Sequence, residues 1–128
     1  MLERDLITRN IRVLVQLLTR AKGLMLDKPE ETLAELEKNI DETILDKLEK
    51  KSVPLLVLDD QLVKVQVDLA YLRAQLLRQL NMEKASAELQ RVKRLMLHYQ
   101  EVFPKNFPFD YYSKLHSIEG MLTATQHP

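Results

Sequence analysis

The 128-residue sequence has no cysteine and no tryptophan, only two glycines, and no net charge. Each scarcity excludes something. Without cysteine there is no disulfide, no thiolate metal site and no cysteine nucleophile, and a cytoplasmic setting is expected. Two glycines fall far below the usual roughly 7%. Strand-rich folds need glycine in their turns, so helices joined by short connections are expected instead. Nineteen basic side chains balance nineteen acidic ones, which argues against a dedicated binder of nucleic acid or of an anionic membrane. No apolar run approaches the roughly 18 residues of a membrane span. Arg4, Asp5 and Arg9 interrupt anything that could act as a signal peptide, so no membrane role is expected.

What is present is 45% apolar and 30% charged, as in a soluble globular domain. A chain this long can bury one core without staples. The periodicity predicts a single all-α domain over 1–128, built from antiparallel α-α hairpins. About five helices are expected, near 2–26, 28–51, 60–80, 82–102 and 108–124.

The first helix carries two apolar lines. Ile7, Ile11, Leu14, Leu18, Ala21 and Met25 form one, and Leu6, Val13, Leu17 and Leu24 the other. That face is wider than one packing partner requires, so the helix is central to the core or also covers a subunit interface. Asn10 falls between the lines. It reads either as a core asparagine bonded to a nearby carbonyl or as a polar device fixing register in a dimer seam. The second helix has a narrow stripe of Leu33, Leu36, Ile40, Ile44 and Leu48, with Asp27 expected as its N-cap and Glu30 three residues on. Its acidic start and basic end suit the helix dipole.

Ser52 to Asp60 reads as a break, with Pro54 forbidding simple continuation and Leu55 to Leu58 expected to lie on the core. Residues 61–69 are ambiguous, because Val63, Val65, Val67 and Leu69 alternate with polar residues as a strand would. A lone hairpin is marginal in water, and Asp59-Asp60 is a poor hairpin turn. The line Leu62, Val65, Leu69, Leu72, Leu76 and Leu80 decides for a helix capped by Asp59 or Asp60. After a turn at Asn81 the next helix buries Ala85, Leu89, Val92, Leu95, Met96 and Tyr99. The last uses Leu115, Ile118, Met121 and Leu122, with Gly120 weakening its final turns.

No chemistry converges in the sequence. His98, His116 and His127 have no metal-ligand spacing, and no glycine-rich phosphate loop occurs. Asp110, Ser113 and His116 lie on one helix, a geometry that does not set an attacking oxygen against an oxyanion hole. No catalytic, metal or cofactor residue is therefore assigned. Lys64, Arg73, Arg78, Lys84, Arg91, Lys93 and Arg94 concentrate positive charge over 60–102. They suggest either complementarity with the acidic second helix or, as an alternative function, a nucleic-acid surface.

Five of the seven aromatics fall in FPKNFPFDYY, residues 103–112. Pro104 and Pro108 end one helix and start the next. Phe107 and Phe109 are expected to fold back as apolar anchors, with at most one of Tyr111 and Tyr112 pointing at the core. The stretch is thus an anchored corner, or else Phe103, Phe107, Phe109, Tyr111 and Tyr112 form a partner interface.

The run LAYLRAQLLRQLNMEKASAELQRVKRLM, residues 69–96, resembles a degenerate tetratricopeptide (TPR) unit. Ala74 and Ala85 stand where such helices touch, and Leu89 takes the place of the large residue four positions later. The family's tryptophan and closing proline are missing, and no second copy follows. The whole chain is also similar to a family of small uncharacterised bacterial all-helical proteins, through the opening L-E-R-D-L-I-T-R-N-I (residues 2–11) and the order of its later elements. That resemblance implies an all-helical, TPR-like fold and brings no catalytic residues. The expected function is a non-enzymatic protein–protein interaction or scaffold module, binding an unidentified protein or a second copy of itself.

Overall fold

The computed structural model describes residues 2–50 and 59–126. Over these the chain is all-α, with no strand among the described residues. The helices are α1 (Leu2–Leu24), α2 (Pro29–Asn39), α3 (Glu42–Lys50), α4 (Asp60–Gln79), α5 (Ala85–Val102) and α6 (Asp110–Gln126). A single 3-10 turn, Pro104–Asn106, joins α5 to α6. The expected break over 52–60 lies outside the described residues apart from Asp59 and Asp60, and so does His127.

The fold is organised around α4. It packs against α1, α2, α3 and α5, while α6 packs on α5. Every residue from Val65 to Ala74 is buried. A helix enclosed on all sides needs apolar residues all round, and this explains the strand-like alternation of Val63, Val65 and Val67. Both ends of α4 are set locally. Asp59 Oδ1 accepts from the backbone N–H groups of Gln61 (2.8 Å) and Leu62 (3.3 Å), a side-chain N-cap. At the other end Asn81 takes a left-handed φ of 57°. Asn81 N–H then donates to Arg78 O and Met82 N–H to Leu77 O, which closes the helix in a Schellman motif. The α5 residues expected in the core, from Ala85 to Tyr99, are all buried.

The expected helix over 28–51 is in fact two. Ile40 is extended, and Asp41 Oδ1 accepts from Thr43 N–H at 3.0 Å to start α3. The break is held from outside by Gln66 of α4, buried opposite it. Gln66 Oε1 accepts from Asp41 N–H at 2.8 Å, and its Nε2 donates to Asn39 O at 3.3 Å. One side-chain amide thus satisfies two of the backbone groups that the interrupted helix leaves open. The stripe itself survives, because Leu33, Leu36, Ile40, Ile44 and Leu48 are all buried. The start of α2 also differs from expectation. Its N-cap is Lys28 rather than Asp27, since Pro29 occupies the first turn and Lys28 O takes both the N–H and the hydroxyl of Thr32.

Replacing Gln66 by leucine should keep the shape of α4 but strand those two backbone groups. The expected loss is about 1–3 kcal/mol, read as a lower urea midpoint with an unchanged slope.

Candidate functional site

The aromatic stretch divides into a buried part and an exposed part. Tyr111 is 0% exposed and packs edge-on against Tyr99, with ring centroids 5.8 Å apart. Phe103 lies against Tyr99 at 4.9 Å, and Phe107 meets Tyr111 edge-on at 5.6 Å. Both phenylalanines are half-buried against the core. These spacings are those of favourable aromatic pairs. Burial first, and the nearby Asp68 carboxylate second, push the Tyr111 hydroxyl far above its ordinary pKa. Phe109, expected as an anchor, is instead 90% exposed, because α6 starts at Asp110 and leaves it outside the first turn. Tyr112 is 58% exposed and rests only edge-on against Phe107. Tyr111 therefore belongs to the core, and of the five candidate interface residues Phe109 and Tyr112 are the ones turned to solvent.

The cations considered for a nucleic-acid surface are largely committed within the chain. Arg73, buried, meets Glu42 at 2.6 Å and Glu88 at 3.0 Å. Arg91 binds Glu42, Asp46 and Glu49 of α3 at 2.8, 2.8 and 3.1 Å, and Arg94 joins Glu49 at 3.2 Å. Lys93 pairs with Glu119, and Lys84 approaches Glu37 at 4.0 Å. This is complementarity between the acidic α3 and the α4–α5 hairpin. Partial burial works against ionised Glu42 and Glu49, but bonds from Arg91, with Arg73 or Arg94, outweigh it and hold both carboxyls below their ordinary pKa.

A groove of about 440 Å³ opens between α1, α4 and α6. Ile11, Val15 and Leu18 form its apolar side, and Lys64, Asp68, Asp110 and Lys114 its charged side. The charges are spent on one another. Buried Asp68 accepts from Lys64 at 2.8 Å and from Lys114 at 3.4 Å, and Lys114 also binds Asp110 at 2.9 Å. Burial opposes a charged Lys114, yet Asp68 and Asp110 raise its pKa above the ordinary value. Lys114 also sits over the Tyr71 ring at 5.3 Å. Asp110 is thereby withdrawn from Ser113 and His116, both exposed. His98 Nδ1 lies 3.2 Å from Leu48 O in the last turn of α3, a helix-end position.

The remaining surface is on α1. Its first apolar line is inward, with Leu14, Leu18 and Ala21 buried and Ile7, Ile11 and Met25 half-buried. Of the second line only Leu17 is buried, while Leu6 is 61% and Val13 52% exposed. Asn10, between them, is exposed too, so it is not a core asparagine. The cause is the break after α2. Spaced at 1.5 Å per residue, α1 is about 35 Å long and α2 about 16 Å. The exposed Arg20–Glu35 pair (3.7 Å) marks where they lie side by side. Past Asn39 the chain turns away to pack α3 on α4 and α5, and the first turns of α1 lose their cover.

Compared with protein-family models, curated proteins and solved structures, the chain matches none. Among the described residues no helix is long and apolar enough to cross a membrane, and no three histidine, aspartate or glutamate side chains converge as a metal site would require.

Two measurements check this reading. Tyr111→Ala should cost about 3–5 kcal/mol, whereas Tyr112→Ala should cost about 0.5 kcal/mol or less; equal losses would refute the division of the aromatic stretch. Glu42 and Glu49 titrate lower in the folded chain than in the unfolded one, so their contribution is complete above the ordinary value of 4.5 and vanishes as pH falls through the lowered values. The urea midpoint should drop on acidification below that value. Arg91→Met should start lower at neutral pH and lose less.

Proposed function

We propose that this protein is a non-enzymatic helical interaction module of the cytoplasm, and that a partner protein docks on the uncovered shoulder of α1. One observation carries the proposal: Leu6 and Val13 stand exposed in the row that α2 covers further along the same helix. Exposed apolar side chains aligned on one helix face are the usual anchor points for a second helix. Two further features support it. Lys64, Asp68, Asp110 and Lys114, which line the charged side of the α1–α4–α6 groove, are bound to one another, which leaves them little freedom for acid–base work. The α4–α5 hairpin resembles a TPR unit, a scaffold for interaction, and its Ala74, Ala85 and Leu89 are buried. The nucleic-acid reading of residues 60–102 has less to recommend it, since Arg73, Arg91 and Arg94 spend their charge on α3 and on Glu88.

Site-specific photocrosslinking tests the reading. A benzophenone side chain would be placed at Val13, at Tyr112, or at exposed Gln100 as a control, each in the full chain expressed in its native cell. A discrete adduct is expected from position 13 alone. An adduct from 112 alone would move the site to the aromatic corner. No adduct from either would sink the interaction module.

A further inference from the structure

Helix α1 contains the same surface twice. Leu6-Ile7-Thr8-Arg9-Asn10 is followed by Val13, and Leu17-Leu18-Thr19-Arg20-Ala21 by Leu24, at a spacing of 11 residues. Eleven residues make three helical turns, so the two sets lie almost directly above one another on one shoulder of the helix. The second set is in use. Leu17, Arg20, Ala21 and Leu24 face Glu31, Thr32 and Glu35 of α2 across a shallow cleft, and Arg20 pairs with Glu35. The first set, Leu6, Arg9, Asn10 and Val13, is exposed.

We infer that the first set takes a helix of the same chemistry as α2: an acidic amphipathic helix from a partner protein, lying in line with α2. This rests on the reading of the α1 shoulder as a docking surface and names its occupant. Charge complementarity selects an acidic partner. From Leu6 to Leu26 the chain carries Arg9, Arg12, Arg20 and Lys22 and no acidic residue. Arg9 stands in the first set where Arg20 stands in the second, and so calls for a carboxylate in the place of Glu35. Asn10 replaces Ala21 and offers an amide that a purely apolar partner would leave unpaired. A second copy of this chain fits less well. Its own α1 would oppose Arg9 and Arg12 with the same arginines, and the stripes of its acidic helices are already buried at Leu33, Leu36, Ile44 and Leu48. An anionic lipid surface would meet only a narrow row, because the opposite side of α1 is held in the core.

The probe is a side-chain-stapled peptide of the α2 sequence, residues 28–40, titrated into the isotope-labelled full chain and followed by NMR. Shift changes are expected at Leu6, Arg9 and Val13. Val13→Glu, at an exposed position, should abolish them with the helical circular dichroism unchanged. Arg9→Glu should weaken binding roughly tenfold, and a peptide carrying lysine in place of Glu35 should recover binding to that variant. No shift changes up to roughly millimolar peptide would overturn the inference, as would changes confined to Leu17 and Leu24, which signify displacement of the chain's own α2. Equal binding of the glutamate and lysine peptides to the native chain would overturn it as well. Sedimentation and vesicle binding, with phosphatidylcholine–phosphatidylglycerol vesicles, assign the alternatives. A dimer or a vesicle complex lost in Val13→Glu would reject the acidic helix but keep the docking surface. A monomer that binds neither peptide nor vesicle, with no crosslink at position 13, would reject both.

Discussion

Residues 65–74 of α4 have no solvent to turn to, yet three of them are Gln66, Asp68 and Arg73. A polar side chain in that position costs several kcal/mol unless its groups are matched. Each finds a partner in a different direction, although Arg73 Nε is left without a hydrogen bond. Gln66 takes the backbone at the α2–α3 break. Asp68 takes Lys114 from α6 besides Lys64 of its own helix. Arg73 takes Glu42 from α3 and Glu88 from α5. The apolar core would tolerate several arrangements of helices around α4, since hydrophobic contact is non-directional. Three buried polar groups tolerate few. They set where α3, α5 and α6 sit around the central helix.

The same constraint shapes the surface. Arg73 and Arg91 share Glu42, and Arg91 reaches on to Asp46 and Glu49, so α3 is drawn across the α4–α5 hairpin rather than along α1. Gln66 secures the bend that this path needs. The uncovered turns of α1 are thus a consequence of the interior, and what remains outside is a basic, partly apolar shoulder built like the one α2 occupies. Interior and exterior are linked through one side-chain amide and one acidic helix.

Much of this was legible in the residues. The identity and inward face of the helices followed from spacing, and the reading of 61–69 as helix held despite its alternation, because Leu72, Leu76 and Leu80 continue the line. The α2–α3 break was hidden by the stripe from Leu33 to Leu48, which keeps its period through the bend. Asn39 and Asp41 were the local signals, an amide and a cap residue two apart, but cap residues also occur inside helices and carry weight only when something across the core answers them. The aromatic stretch was half legible: its prolines placed the corner, while the choice of Tyr111 over Phe109 as anchor depended on where α6 starts. The uncovered shoulder was visible only as an excess of apolar width on α1.

What the sequence determined by itself is local and periodic: helix content, most of the buried faces, a cap at Asp59 or Asp60 and the Asn81 turn, all fixed within a few residues by hydrogen-bond and steric rules. What the tertiary structure decided is every question of which neighbour meets which face. Gln66 meeting the break, α3 going to Arg91, and Leu6 and Val13 left bare all depend on side chains 25 or more residues apart in sequence or on cover that is missing. Helical period places a residue on a face, and only packing in three dimensions supplies what that face meets.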